Sequence, residues 1–399
     1  MPDSIPEGTR LGRYVETVAG GETVRAFVPP PLPPNPPIDI LPLLEKLSAA
    51  ERALGRLDGI TVLLPSHELF LYMYVRKEAV LSSQIEGTQS TLTDLLRFET
   101  DAEAGQPIDD IREVSNYVDA MMFGLDRLRE LPLSLRLIRE MHERLLHSGR
   151  GATMNPGEFR RSQNWVGGTR PGNALYVPPP ISELNSVLDA FEHFMHEEGS
   201  GLPPLIKAGL LHVQFETIHP FLDGNGRVGR LLVTLYLCVQ RVLHKPLLYL
   251  SLYLKTHRAE YYRLLQEVRE SGAWEIWLAF FLEGIAETAN QAFDAATRIV
   301  DLFRRDRERI AEQGERVGSA LRVHDFLQQN PLVTGNRLVQ QTDLSAPTVN
   351  LALADLEALG IVGEITGRRR GRVFAYSAYL DILNEGTTPL GMPGFFCTS

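Results

Sequence analysis

Apolar residues recur at intervals of three and four between about residues 41 and 315, the spacing that places them on one face of an α-helix. Prolines interrupt the pattern at Pro65, Pro107 and Pro132 and in the segment 202–204, and each is expected to end a helix. We therefore predict a mainly α-helical protein with an N-terminal helical region over residues 41–130 and a second helical region over residues 131–315.

The first forty residues follow a different pattern, because they end in the proline-rich stretch FVPPPLPPNPPIDI. Proline fixes φ and has no N–H to donate, so such a stretch does not build a helix or the interior of a sheet. We expect residues 1–40 to form an extended arm.

A second departure from the helical pattern is the segment NWVGGTRPGNALYVPPP, residues 164–180. Residues that favour β-strands lie on both sides of a turn rich in Gly, Pro and Asn, namely Trp165, Val166, Tyr176 and Val177. This arrangement predicts a β-hairpin within the helical region.

The C-terminal part of the chain begins after the charged stretch RRDRERIAEQGER, residues 304–316. Its pattern predicts a helix, a short helix from about residue 336, a turn, a helix from Ser345 to about Leu359, and two short strands around a basic turn. That order is typical of a winged helix-turn-helix domain, here over residues 316–385. Residues 386–399 are then a tail.

Composition is that of an ordinary soluble protein of two or three domains, with 399 residues, 44% of them apolar and 23% charged. The net charge of −10 argues against nucleic-acid binding over the whole surface but is compatible with a local basic patch. Cys238 and Cys397 are too few for a disulfide framework. The N-terminus lacks the apolar core of a signal peptide, and charged residues interrupt the most apolar stretch, 231–254. We expect a cytoplasmic protein with no membrane partner.

The segment HPFLDGNGRVGR, residues 219–230, contains most of the chemistry that can be identified. Gly224, Gly226 and Gly229 match the dinucleotide-binding pattern G-x-G-x-x-G. That pattern requires a preceding strand, whereas the preceding segment PLIKAGLLHVQFETI has a helical pattern. A Rossmann-type site is therefore not favoured.

A zinc site is a second alternative, because His212, Glu216 and His219 share one helix face and catalytic zinc takes three such ligands. The H-E-x-x-H pattern is absent. A histidine and a glutamate within an apolar helix more often bind neighbouring backbone groups, so we favour structural roles for His212 and Glu216.

A phosphate site fits the segment better. Gly224, Asn225 and Gly226 can direct successive N–H groups toward one point, and the helix that follows adds its positive N-terminal end. Arg227 and Arg230 lie three residues apart on that helix and offer planar guanidinium groups suited to phosphate oxygens. The segment thus predicts an anion-binding cradle.

Two further residues complete this site. Asp223 would repel phosphate unless a cation joined them, and Mg²⁺ is commonly bound by one carboxylate together with phosphate oxygens. A neutral His219 beside the cradle can accept a proton from an incoming hydroxyl. We therefore expect a site for a polyphosphate with Mg²⁺.

These residues, HPFLDGNGR followed by Arg230, resemble the signature of the Fic (Fido) family, H-P-F-x-[DE]-G-N-G-R-x-x-R, without departure from it. The similarity also covers LLHVQFETI before the motif and YLSLYLKTHRAEYYRLLQEVR after it, about residues 65–375 in all. The resemblance implies a Fic helical core with a β-hairpin flap, and transfer of AMP from ATP to Ser, Thr or Tyr hydroxyls of proteins with release of pyrophosphate.

The resemblance also implies a role for each motif residue. His219 would be the base, Asp223 the Mg²⁺ ligand, and Phe221 the residue that packs the loop into the core. The remaining motif residues would bind ATP: Gly224, Asn225 and Gly226 at the α- and β-phosphates, Arg227 at the β-phosphate, Arg230 at the γ-phosphate, and Val228 and Gly229 between them. Outside the motif, Thr256 is expected near the nucleotide.

A second motif, SSQIEG, covers residues 82–87. Leu69, Met73 and Val80 fall within about 40° on a helical wheel, which predicts an amphipathic helix over residues 67–86 that stops at Gly87. Ser82 and Glu86 then share one face at its last turn.

SSQIEG resembles the inhibitory motif of Fic proteins, [ST]-x-x-x-E-[GN], with Ser82, Glu86 and Gly87 in register. The resemblance implies that Glu86 pairs with Arg230 and so takes the partner of the γ-phosphate. Alternatively, Glu86 orients water to remove AMP from modified proteins, and the sequence does not separate the two directions.

The partners follow from the same resemblance. The flap at 164–180 would align the backbone of a protein substrate by strand addition, and a purely structural hairpin is the alternative. Self-modification and a homodimer are left open.

The winged-helix pattern supports a different class of function, a DNA-binding regulator. The helix after Ser345 has no Lys or Arg and carries Asp355 and Glu357, which favours protein docking. The wing, however, carries four arginines that could bind phosphates, Arg368, Arg369, Arg370 and Arg372.

Overall fold

The computed structural model describes residues 10–60, 67–100, 109–199, 201–313, 317–369 and 371–390. These residues are mainly helical, as predicted. The β-strands are β1 Arg13–Ala19, β2 Glu22–Val28, β3 Leu332–Thr334, β4 Gly363–Glu364 and β5 Val373–Ala375. The α-helices are α1 Leu44–Ile60, α2 His67–Ile85, α3 Leu92–Thr100, α4 Asp109–Arg127, α5 Leu135–Leu145, α6 Ile181–His196, α7 Pro204–Ile218, α8 Asn225–Val239, α9 Ser251–Thr256, α10 Arg258–Ser271, α11 Trp274–Ala311, α12 Val317–Gln329, α13 Gly335–Thr342, α14 Ala346–Ala358 and α15 Ser377–Asn384.

Helix α7 forms the centre of the core. Every residue from Leu205 to Ile218 is buried, so this helix is enclosed on all sides, and it packs against α6, α8, α10 and α11. The approach to α11 is close at Gly209, whose carbonyl accepts a hydrogen bond from Trp277 Nε1 at 2.9 Å. Because α8 packs on α7, the loop between them is held at the end of a rigid pair of helices.

Helix α11 joins the helical core around α7 to the C-terminal part of the chain. It has 38 residues and is therefore about 57 Å long. Helix α1 packs along its first half, and the Tyr376 hydroxyl donates to the buried carboxylate of Asp306 near its C-terminal end at 2.7 Å. The C-terminal elements thus dock on the same helix as the core.

The N-terminal arm was predicted wrongly in part. Residues 13–28 form an antiparallel hairpin instead of an extended chain, with Ala19 paired to Glu22 across a two-residue turn. Gly20 and Gly21 have φ values of 53° and 82°, which only glycine adopts readily, and Gly-Gly is a typical hairpin turn. The expectation holds for the proline-rich stretch after β2, which forms neither helix nor strand before Leu41.

The segment 164–180 folds back on itself, but it forms less sheet than predicted. A single bridge joins Val166 to Tyr176, and a 3₁₀ turn at Pro171–Asn173 forms the tip. The pairing between the two arms does not continue beyond this bridge, because the consecutive prolines at 178–180 have no N–H to donate. The Phe27 N–H of β2 donates to Val177 O at 2.9 Å, so the N-terminal hairpin lies beside the returning arm of this segment.

The C-terminal elements follow the order helix, strand, helix, helix, strand, strand, and the three strands form a sheet in the order β3–β5–β4. Ser345 lies at the predicted start of this helix and caps α14, since its hydroxyl oxygen accepts the Thr348 N–H. After α15 the chain returns to α2, where the Gln84 side chain donates to Thr387 O at 2.8 Å. The end of α2 is therefore in contact with the C-terminal segment.

Of the helices in the described ranges, none combines the length and the apolar character needed to cross a bilayer.

The contact between α7 and α11 leads to a stability prediction. A Cβ added at Gly209 would lie 2.8 Å from Leu278 Cδ2 and 3.0 Å from Phe281 Cδ1. Gly209→Val should therefore lower the free energy of unfolding by about 1 to 3 kcal/mol through overpacking. Gly55→Val is the matched control, because Gly55 is exposed on α1 with no atom within 4 Å of an added Cβ. Thermal melts followed by circular dichroism test this, and equal melting temperatures for the two variants would contradict it.

Candidate active site

His219 lies where α7 ends. Its backbone is left-handed, with φ 48° and ψ 60°, and its N–H donates to Phe215 O at 2.9 Å. The buried Arg160 holds the turn from the other side, because its Nε donates to His219 O at 3.0 Å and its backbone N–H to Pro220 O at 2.9 Å. Burial, assisted by the charge of Arg160, lowers the pKa of His219 to about 4. The imidazole is therefore neutral at pH 7 and able to accept a proton, and the residue as a whole is partly exposed.

The loop after His219 is fixed by two residues of the motif. Phe221 is fully buried and stacks on His142, with ring centroids 3.7 Å apart. The Asn225 side chain bonds both backbone groups of Phe221, accepting from its N–H and donating to its carbonyl, each at 2.9 Å. The Asn225 side chain thus braces the loop, and only its backbone N–H is left for the anion-binding role expected from the sequence.

The motif glycines permit the start of α8. Gly224 precedes the helix with φ 77°, and the first-turn N–H groups of Asn225, Gly226 and Arg227 have no acceptor within the helix. Val228 is buried and its N–H already bonds Gly224 O at 3.0 Å. The predicted cradle therefore reduces to the first turn of α8, which has the positive end of the helix dipole.

Arg230 points toward the end of α2. Its Nε donates to Ser82 Oγ at 2.8 Å, and its Nη2 donates to Ser82 O at 3.0 Å and to Glu86 Oε1 at 2.6 Å. The same carboxylate lies over the first turn of α8, because a Cβ added at Gly226 would be 2.3 Å from Glu86 Oε1. Burial alone would raise the pKa of Glu86, but the charge and hydrogen bond of Arg230 bring it below the ordinary value. Glu86 is therefore ionised at neutral pH.

The backbone after α2 delivers Glu86 to this place. The helix ends at Ile85, and Gly87 turns the chain with a φ of 103°, where a residue with a Cβ would be strained. The Arg258 side chain donates to Ile85 O at 3.1 Å. The predicted stop at Gly87 thus agrees with the structure.

Arg227 is almost fully buried and is bound by acids on two sides. Its Nη1 lies 3.2 Å from Glu113 Oε2, and its Nη2 lies 3.6 Å from Asp223 Oδ1. Glu113, on α4, also pairs with Arg150 Nε at 3.0 Å. The sequence did not indicate Glu113 and Arg150; the available signal was a glutamate on the mainly apolar face of α4 that also carries Tyr117.

Asp223 is the residue expected to bind Mg²⁺. Its Oδ1 accepts the Gly224 N–H at 2.6 Å, and about a third of the side chain is exposed (35%) beside the cradle. A single accessible carboxylate fits a metal that takes its remaining ligands from water and substrate phosphates. Among the residues described, no group of three or more His, Cys, Asp and Glu side chains is arranged to hold a metal on its own.

His212 has the structural surroundings that were favoured for it, whereas the buried Oε1 of Glu216 has no hydrogen-bond partner in the described part of the chain. His212 contacts Gly229 O through Nδ1 at 3.1 Å and the Tyr261 hydroxyl through Nε2 at 2.9 Å, so both ring nitrogens are engaged. Burial raises the pKa of Glu216 to about 7, and a Cβ at Gly229 would lie 2.6 Å from its Oε1. Gly229 therefore serves close helix packing, and a helix, not a strand, precedes the motif.

Thr256 is the predicted residue that the structure does not bring into the cluster. It is exposed, and its hydroxyl donates to Leu252 O in its own helix at 2.8 Å. A role for Thr256 at the nucleotide stays a prediction without a contact to support it.

Two regions of the chain match models of a known protein family. Residues 44–126 match a family model described as "Fic/DOC family N-terminal", and residues 132–237 match the model of the Fic/DOC family. Proteins named "Protein adenylyltransferase Fic" from Drosophila grimshawi and Drosophila virilis are 34% and 35% identical over 190 residues, which are 47% of this chain and 36% of each relative. The chain thus spans about a third of the length of these relatives.

A solved structure shows the same fold. The crystal structure of a Fic family protein from Desulfovibrio desulfuricans G20 aligns with 86% of this chain and 97% of its own, with a TM-score of 0.56 and 21% identity. Residues 44–126 and 132–237 are thus similar to two consecutive regions of the Fic/DOC family, each matched by its own model.

Proposed function

We propose that the protein transfers AMP from ATP to a hydroxyl group of a protein substrate and releases pyrophosphate. The observation that carries the proposal is a neutral His219 next to the first turn of α8, which offers free N–H groups beside Asp223. The names of the relatives, protein adenylyltransferases, support the same reaction.

Each group has a step in this reaction. His219 takes the proton of the substrate hydroxyl as its oxygen attacks the α-phosphorus. The bond from the α-phosphorus to the bridging oxygen breaks, and its electron pair leaves with pyrophosphate. The N–H groups of the first turn of α8 stabilise the charge that develops on the α-phosphate. Asp223 would hold Mg²⁺, which when bound neutralises charge on the leaving group.

We propose that Glu86 inhibits this reaction within the same chain. Its carboxylate occupies Arg230 and lies over the first turn of α8, so it would repel a triphosphate and withhold the partner of the γ-phosphate. Ser82 accepts hydrogen bonds from Nε and Nη2 of the same guanidinium, which explains why serine and glutamate occur together in the motif.

The segment 164–180 is proposed to bind the main chain of the target protein. The Asn164 side chain donates to Phe221 O at 3.0 Å, which ties this segment to the motif loop. Because β2 already contacts the returning arm at Val177, the arm 164–168 is the edge left for a target strand.

Glu86→Gly should increase transfer by about 5- to 150-fold, since a coupling free energy of about 1 to 3 kcal/mol is typical between two such sites. Transfer of radiolabel from [α-³²P]ATP to protein measures the effect. Gln89→Gly is the control, because it adds the same backbone freedom at an exposed position. Equal labelling by wild type and Glu86→Gly would contradict autoinhibition, and release of AMP from modified protein by the wild type alone would assign the reverse reaction.

His219→Ala in the Glu86→Gly background should lower AMP transfer by about 10²- to 10⁴-fold, which is the typical contribution of a general base. The affinity for ATP should be unchanged. His219→Asn is a second variant, because asparagine tolerates the left-handed backbone observed at this position. Label transfer and calorimetric titration with ATP provide the two measurements. Activity retained in both variants would remove His219 from the role of base.

We further propose that the C-terminal region predicted at residues 316–385 forms a winged helix-turn-helix domain, because β3, α13, α14, β4 and β5 follow one another in the order of that fold. Helix α14 carries Asp355 and Glu357 and lacks Lys and Arg, so it is poorly suited to the phosphates of a DNA groove. Arg370 of the wing lies outside the described residues.

Because of that charge distribution, we expect the full chain to bind duplex DNA only weakly and without sequence preference. Gel-shift assays measure this binding. The triple substitution Arg368→Gln, Arg369→Gln, Arg372→Gln tests the wing. A strong, salt-sensitive shift that this variant abolishes would instead show DNA binding.

A further inference from the structure

Glu113 is a buried acid that pairs with two arginines. Neither Glu113 nor Arg150 has a role in the proposed AMP transfer. Its side chain is 1% exposed and contacts Arg227 Nη1 through Oε2 at 3.2 Å. Arg150 approaches the same carboxylate with Nε 3.0 Å from Oε1 and Nη2 3.2 Å from Oε2. Two guanidinium groups therefore converge on one carboxylate.

The two arginines differ in exposure. Only 2% of the Arg227 side chain is exposed, and its Nε has no hydrogen-bond partner in the described part of the chain. The Arg150 side chain is 56% exposed. Arg227 is also paired with Asp223, at 3.6 Å, so the guanidinium of this cluster that reaches solvent is that of Arg150.

The loop that carries Arg150 lies against Asp223. A Cβ added at Gly151 would be 2.7 Å from Asp223 Oδ2, and Gly151 has a φ of 88°, so glycine permits this approach. Asn116 holds the start of the loop, since its Nδ2 donates to Leu145 O at 3.2 Å and to Ser148 O at 2.9 Å. The loop that carries Arg150 is therefore anchored to α4.

Electrostatics support the same placement. Burial would lower the pKa of Arg150, but Glu113, followed by Asp223, raises it above the ordinary value. The charged form of Arg150 is thus stabilised both by Glu113 and by Asp223, the residue expected to hold Mg²⁺. Without Arg150, the two acids Glu113 and Asp223 would face the phosphates with only Arg227 between them.

We propose that Arg150 binds the pyrophosphate portion of ATP, and that Glu113 is the positioning residue that holds both Arg150 and Arg227 for it. This inference rests on the proposed function and adds a phosphate-binding residue outside the motif. When the bond at the α-phosphorus breaks, the electron pair stays on the pyrophosphate oxygen, and Arg150 stabilises that added charge. Because the guanidinium of Arg150 is exposed, pyrophosphate bound to it can leave directly into solvent.

The test measures binding of ligands that contain or lack the pyrophosphate portion. All variants are made in the Glu86→Gly background, where Arg230 is free of its acid. Magnesium pyrophosphate, MgATP and AMP are titrated calorimetrically into the full chain, and the KM for ATP is measured by label transfer.

Arg150→Ala should weaken binding of pyrophosphate and ATP by about 10- to 100-fold, as expected for the loss of a charge-assisted hydrogen bond, and leave AMP binding within about twofold. Arg150→Lys should restore part of this loss, because lysine keeps the charge but not the planar fork. Arg144→Ala is the matched control, since Arg144 is a similarly exposed arginine paired with Asp119 and should change none of the three affinities.

Glu113→Gln should weaken pyrophosphate binding as well, because both arginines lose their common anchor. The inference is overturned if Arg150→Ala binds pyrophosphate as tightly as the parent, or loses AMP to the same extent. A parent that binds these ligands and transfers label while Arg150→Ala is unaffected would refute only this inference. A parent that neither binds ATP nor transfers label would refute the proposed function itself.

Discussion

The structure around the site depends on one constraint, the concentration of buried positive charge at the first turn of α8. Arg227 and Arg230 are almost fully buried there, next to backbone N–H groups that have no acceptor in the helix. Buried cations require partners, and these come from separate elements: Glu86 after α2, Glu113 on α4 and Asp223 in the motif loop. The acids that neutralise these buried cations therefore also determine how much positive charge is left at the first turn of α8.

The parts of the motif loop that could be predicted from the sequence are those whose interacting residues lie close along the chain. The motif loop could be predicted because its turn, helix start and charged residues lie within twelve positions, and its internal contacts, such as Phe221 with Asn225, span four residues. The contact between Glu86 and Arg230 spans 144 residues. Helical periodicity placed Ser82 and Glu86 on one face, but only the family resemblance supplied Arg230 as their partner.

The residues that were missed act through distant contacts. Glu113 on α4 resembles any isolated acid until Arg227 and Arg150 are placed opposite it, and Arg160 is one of many arginines until it bonds the backbone of His219. The N-terminal hairpin was missed for another reason. The prolines after β2 dominated the pattern, although Gly20 and Gly21 stand between two stretches rich in β-favouring residues.

The anchoring of α2 determines how Arg230 can be released. Glu78 accepts the Ser251 N–H at 3.1 Å, Gln84 bonds the C-terminal segment, and both lie on the same helix as Ser82. Withdrawal of the whole helix would break these buried contacts together. Glu86 follows the last helical residue, and its side chain is 26% exposed, so it can rotate away while α2 stays in place. Rotation of one carboxylate breaks a single ion pair, which makes it a far less costly route to an open site than movement of the helix.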